Sequence, residues 1–253
     1  MPPVLGDPSA DAYLDRLAER LRTVLRGRLL GAWLVNSAAR VDYLPGRSDL
    51  DVAVAVGDAL PGRLKLALAD ELRHAALPCP APRLELVVYR HEVLADPGPR
   101  PDWDLNLNTG PAIDDHVGTD STVEPAHWFV IDLAAARQAS LALMGPPLAT
   151  LLGPISDTAV HDALRASAEW HAANDATAPN RVLNACRAWH WLETGHWASK
   201  TEAAAWATAR DGDADLIRLS VARRRGETEE PLVLERVRAF AAELERRIPS
   251  PAR

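Results

Sequence analysis

The sequence predicts an α+β chain, with a sheet and flanking helices in the first half and helices alone in the second. Three observations predict it. Between residues 29 and 90 lie three short apolar runs bounded by turn residues, the signature of strands. Beyond residue 156 the apolar positions recur every three or four residues, as amphipathic helices require. Between these regions, Met144-Gly145-Pro146-Pro147 and Gly153-Pro154 interrupt any regular pattern. The expected division is a sheet-bearing domain over 1–152 and a helical domain over 153–253.

Taken in order, residues 9–26 carry Tyr13, Leu14, Leu17, Leu21, Val24 and Leu25 at helical spacing, with Ser9 as N-cap and Gly27 as stop. Strands follow over 29–36 and 50–56, and their near-continuous apolar character implies cover on both faces. Leu64, Leu68 and Leu72 define a helix over 62–76, ended before Pro78 and Pro80. The alternating segment 82–90 is a third strand. Residues 97–118, rich in proline and glycine, read as a long loop with a short strand, in which Asp114, Asp115 and His116 are solvated. His127 to Asp132 reads as a short strand, and Asp132 to Ser140 as a helix. The second half divides into helices over 157–174, 179–194, 199–210, 214–224 and 231–247, with Pro179 starting the second and Gly195 stopping it. Short connections imply an antiparallel bundle, in which most of Trp170, Trp189, Trp191, Trp197 and Trp206 serve packing.

Composition narrows the function. A net charge of −7, with no basic run beyond Arg223-Arg224-Arg225, argues against a nucleic-acid partner and for a small substrate, cationic if charge is used in binding. Two cysteines, Cys79 and Cys186, stand far apart without metal-ligand spacing, as suits a reducing compartment. His161, His171, His190 and His196 also lack ligand spacing. The N-terminus shows no basic start followed by an apolar stretch, and nowhere do 18 apolar residues run together. The expectation is a cytoplasmic monomer without a membrane partner.

The chemistry-bearing stretch joins the first two strands. It opens the second with Ser48-Asp49-Leu50-Asp51. Strand residues two apart share a face, so Asp49 and Asp51 project together. Adjacent carboxylates repel unless a cation lies between them, and Mg²⁺ favours a few carboxylates plus the phosphate oxygens of a substrate. Glu85 is the anomaly of the third strand. Either it lies on an edge strand in water, or it joins Asp49 and Asp51 in a carboxylate cluster that holds metal ions or takes a proton from an attacking hydroxyl.

A Ser turn, Ser-Asp-x-Asp on the next strand and a lone acidic residue on a third strand resemble the nucleotidyltransferase superfamily. The segment from Asn180 to Trp206, with its Leu-x-x-x-Arg-x-Trp and Ser-Lys-x-x-Ala-x-x-Trp patterns, is similar to the helical domain of the aminoglycoside 3''- and 9-adenylyltransferases. The resemblance implies a polymerase-β-like catalytic domain, a mixed sheet flanked by helices, followed by a helical bundle. It implies Asp49 and Asp51 as metal ligands, and Glu85 as general base that also touches metal. Ser37, Ser48, Arg187 and Lys200 would contact the nucleotide. Trp170 with Asp175 matches an aromatic and acidic pair that grips a cationic drug. Asn106 and Asn108 stand in the stretch that meets the acceptor, and their amides face either a pocket or water. Two departures stand out, Asn36 where the family writes glycine and a stretch 105–110 without the family's aromatic residue.

The implied reaction is Mg²⁺-dependent transfer of AMP from ATP to a hydroxyl of a small aminoglycoside-like acceptor. The alternatives are a degenerate nucleotide-binding member and a transferase acting on a protein or tRNA.

Overall fold

The apolar runs of the first half become the centre of a six-stranded sheet. In the computed structural model, which describes residues 4–174, 178–210 and 212–249, the chain divides into two compact units, Met1–Ile155 and Ser156–Arg253. No described helix is long and apolar enough to cross a membrane.

Helix α1 spans Pro8–Leu25. Its N-cap is Asp7, whose carboxylate accepts from the backbone amides of Ser9 and Ala10, and not Ser9 as the sequence predicts. Pro8 takes the first helical position, where a missing N–H is harmless, and this moves the cap one residue outward. The chain then forms β1 (Leu29–Leu34), a short α2 (Asn36–Ala39), β2 (Leu50–Val56), α3 (Gly62–Leu72), β3 (Leu84–Arg90) and α4 (His91–Ala95). A hairpin of β4 (Leu105–Gly110) and β5 (Ile113–Gly118), helix α5 (Ala126–Gln138) and β6 (Leu141–Met144) complete the unit.

The sheet order is β5-β4-β3-β2-β1-β6. Only β2 and β3 pair in parallel, so the sheet is mixed. Strand β3 is interior, which removes the edge-strand reading of Glu85.

Two expectations are corrected. Residues 97–118 hold a hairpin, so Asp114, Asp115 and His116 lie on strand β5 instead of a loop. That edge strand has little intrinsic strand character and owes its shape to pairing with β4, which no local pattern reveals. Residues His127 to Asp132 belong to helix α5. A short apolar run reads alike as buried strand or buried helix, and here Phe129, Val130, Leu133 and Ala136 are buried at helical spacing.

Alternation divides the sheet into two covered faces. On one, Val52, Val54, Leu86, Val88, Leu105 and Leu107 pack against Tyr13, Leu14, Leu17 and Leu21 of α1 and Leu68 and Leu72 of α3. On the other, Trp33, Ala53, Ala55 and Tyr89 meet Phe129, Leu133 and Ala136 of α5. Each face excludes water through apolar burial, the main favourable contribution to folding.

Beyond β3 lies a buried ionic knot. Asp104, 1% exposed, accepts from the backbone amide of Leu60 at 2.6 Å and pairs with Lys65 at 3.2 Å and Arg90 at 3.1 Å. Arg90 also reaches Asp102. One buried carboxylate thus satisfies two cations and an amide, which ties β3 to the segments on either side of it.

In the second unit, α6 (Asp157–Asn174), α7 (Pro179–Thr194), α8 (Lys200–Thr208), α9 (Ala214–Arg225) and α10 (Leu234–Arg247) form a bundle in which α7 packs against all four others. Gly195, at φ 70°, ends α7 in the left-handed conformation that glycine adopts without steric cost. Ser199 and Glu202 close a capping box at the start of α8. Trp191 stacks on Trp197 at 5.7 Å, and Trp189 meets Trp206 edge-on at 5.2 Å, so these rings serve packing.

Replacing Asp104 by Ala leaves Lys65 and Arg90 without their shared buried partner. Urea unfolding should show a loss of about 3–5 kcal/mol.

Candidate active site

The site is built by register. Parallel pairing sets Leu50 opposite Leu84 and Asp51 opposite Glu85. Asp49 lies one step before Leu50 and Arg83 one step before Leu84, so three acidic residues and one arginine occupy the same face at the start of both strands. Farther along that face stand Ala53 and Ala55 of β2 and Tyr89 of β3, all buried. The polar end of an otherwise apolar face is where the functional groups gather.

Arg83 holds the group together. Its Nη2 lies 2.8 Å from Asp49 Oδ2 and 2.6 Å from Glu85 Oε1. Asp51 hydrogen-bonds Glu85. The Glu85 side chain retains 32% exposure, yet desolvation by the surrounding protein raises its pKa. Arg83 and the hydrogen bond from Asp51 oppose the rise, while the charges of Asp49 and Asp132 add to it.

Asp132 is a fourth carboxylate, which the sequence pattern puts at the junction of a strand and a helix and not in the site. It comes from α5 and accepts a 3.0 Å hydrogen bond from Asn36 Nδ2. Asn36 has φ 52°, so asparagine keeps the left-handed turn at the position where the resembling family writes glycine. Arg40 Nη2 donates to the carbonyl of Ala135 at 2.7 Å, a second tie between this turn and α5. Val35 N donates to Asp51 O at 3.0 Å, which brings the turn to the start of β2. Ser37 follows in this turn, half-buried. Ser48 is buried, and its Oγ accepts from Leu44 N at 3.0 Å, closing the loop that leads into Asp49.

The cluster continues across the sheet. Glu85 lies opposite Asn108 of β4, and Asn108 opposite His116 of β5. Asn108 Nδ2 donates to Asn106 Oδ1 at 3.1 Å, and Asn106 Nδ2 donates to Glu124 Oε2 at 2.6 Å. Glu124 is also 2.9 Å from His116 Nε2. Asn106 is therefore buried scaffold, whereas Asn108 stands half-buried beside Glu85.

Within the second unit, Arg187 Nε donates to the carbonyl of Ala198 at 3.1 Å, and its guanidinium lies 5.4 Å from the Trp197 ring centroid. Lys200 Nζ donates to Asn180 Oδ1 at 2.9 Å. Both cations thus belong to the corner where the α7–α8 connection enters α8. Trp170 is half-buried on α6, edge-on to His171 at 5.2 Å. Asp175, its expected acidic companion, lies outside the described residues.

Among the described residues no three His, Cys, Asp or Glu side chains form a ready-made metal cage. The donor chemistry at Asp49, Asp51 and Glu85 nevertheless suits a hard divalent cation. The donors are carboxylate oxygens on two adjacent strands, and a cationic nitrogen already bridges two of them.

Because Glu85 holds its proton more tightly in the folded chain than in the unfolded one, the stability linked to that proton is complete below the ordinary glutamate pKa. It is lost as pH rises through the interval up to the raised native value. Asp132→Asn removes one of the charges that raise it. Carboxyl NMR titration should show the Glu85 pKa move down, and urea unfolding should show a shallower fall in stability over that interval.

Residues 150–247 match the family model of the aminoglycoside adenylyltransferase C-terminal domain. No curated protein matches the sequence. Among solved structures, the chain is similar to the spectinomycin adenyltransferase AAD(9) from Enterococcus faecialis, crystallised with ATP and spectinomycin. The TM-score is 0.71 at 20% identity, and the match covers 94% of this chain and 98% of that one. Residues 150–247 are thus similar to the aminoglycoside adenylyltransferase C-terminal domain, and the chain shares its fold along nearly its whole length with a spectinomycin adenyltransferase.

Proposed function

We propose that this chain transfers AMP from ATP to a hydroxyl of a small aminoglycoside-like acceptor and releases pyrophosphate. The observation that carries this reading is the placing of Asp49, Asp51 and Glu85 on one face at the start of two adjacent parallel strands, in a chain whose residues 150–247 match the adenylyltransferase domain.

In this reading Asp49, Asp51 and Glu85 hold Mg²⁺, which when bound offsets the negative charge of the phosphate oxygens. Glu85 takes the proton of the acceptor hydroxyl. A carboxylate beside the metal is well placed for that task. Asp132, which accepts from Asn36 Nδ2, ties the turn before Ser37 to α5 and is a positioning group. Ser37 and Ser48 serve the nucleotide phosphates, to which Arg187 and Lys200 supply positive charge. Trp170, Asp175, Asn106 and Asn108 serve the acceptor. Ser48 and Asn106 are buried whereas Ser37 and Asn108 are half-buried, which makes Ser37 and Asn108 the better-supported members of their pairs.

The left-handed Asn36 supports an active enzyme over a decayed one, because the turn before Ser37 survives the loss of glycine. The neighbour's bound spectinomycin makes that aminocyclitol the first acceptor to try.

The test is purified protein with Mg²⁺, radiolabelled ATP and a panel of aminocyclitols and aminoglycosides. AMP transfer to at least one acceptor is expected from the parent, and none from Asp51→Asn. Equal activity in both would dispose of the reading. Glu85→Gln should lower kcat by about 10²–10⁴-fold, the usual contribution of a positioned general base.

A further inference from the structure

We propose that Arg83 is an internal counter-cation, which holds Asp49 and Glu85 when no divalent ion is bound and yields its place to that ion. The inference rests on the reading of these carboxylates as the metal site. It adds to that reading a residue which neither the family patterns nor the proposed reaction uses.

The geometry is specific. A single nitrogen, Arg83 Nη2, lies 2.8 Å from Asp49 Oδ2 and 2.6 Å from Glu85 Oε1. It therefore occupies a point from which one cation reaches oxygens on two strands. No backbone change is required to vacate it. The Arg83 carbonyl accepts from Leu50 N at 2.9 Å, so the main chain is fixed by strand pairing. The side chain is 38% exposed, so part of its surface already meets water.

The physical need is equally plain. Asp49, Asp51 and Glu85 bring three acidic groups together at the start of two paired strands, with Asp132 of α5 close enough to act on Glu85 through its charge. Without a cation such a group would spread apart or take up protons. Arg83 relieves that repulsion with a permanent charge, since a guanidinium does not lose its proton in the working pH range. The same charge repels an incoming divalent ion at close range. Arg83 thus keeps the ligands assembled at the cost of a weaker affinity for metal.

The test uses Mn²⁺ alone as probe, with binding to the full chain followed by electron paramagnetic resonance of the free ion. Arg83→Gln should bind Mn²⁺ about tenfold or more tightly than the parent, since a full positive charge beside the ion is removed. Arg83→Lys, which keeps the charge, should stay within about threefold of the parent. Equal or weaker binding by a folded R83Q would overturn the proposal. Should R83Q fail to fold, the parent itself decides. Its Arg83 Nε–H resonance, identified by its loss in R83K, should move on Mg²⁺ addition to the position of a solvated arginine, and an unmoved signal would overturn the proposal. Parent binding of Mn²⁺ without these changes refutes the role of Arg83 alone. Absence of Mn²⁺ binding in the parent and every variant removes the metal site, and this inference with it.

Discussion

One pairing constrains the rest of the first unit, the parallel register of β2 and β3 that sets Asp51 beside Glu85. A slip of one residue would turn Glu85 to the opposite face, into the apolar layer beneath α1 and α3. The hydrophobic pattern forbids that slip, because Val52, Val54, Leu86 and Val88 would then leave the core. Burial of ordinary aliphatic side chains therefore fixes the position of a charged site that they do not touch.

The carboxylates lie where the cost of burial is least. Along the face of β2 the sequence runs Asp49, Asp51, Ala53, Ala55, and along that of β3 it runs Arg83, Glu85, Val87, Tyr89. Charge sits at the rim and apolar groups inward, as the high cost of desolvating an unpaired charge requires. Where a carboxylate does enter the interior, at Asp104, it is met by Lys65, Arg90 and the Leu60 amide. At the rim the pairing is less complete, and desolvation, with the charges of Asp49 and Asp132 added to it, raises the pKa of Glu85. The interior and rim acids of this unit thus differ in how fully they are neutralised.

The helical unit rests on different physics. Its interior is lined by small residues of α7 and α8 and by interlocked indole rings, and its helix ends are closed by Gly195 and by the Ser199–Glu202 box. Arg187 and Lys200 make local hydrogen bonds there that would stabilise the corner with or without a nucleotide.

The sequence by itself determined the elements whose information is local. Apolar runs between turn residues located β1 and β2, alternation located β3, helical patterns located every described helix of the second unit, and the two-residue spacing put Asp49 with Asp51 on one face. Tertiary structure alone decided what depends on distant pairing. The weak strand β5 is held by β4, and the apolar run at His127 became helix α5 because its buried residues face a sheet already formed. Asp132 meets Asn36 across 96 positions of chain, a separation at which side-chain spacing carries no information. Arg83 was visible as a residue two places before Glu85, but its bridge to Asp49 exists only once β2 and β3 lie side by side. Periodicity specifies which face a residue takes, and only packing specifies what that face meets.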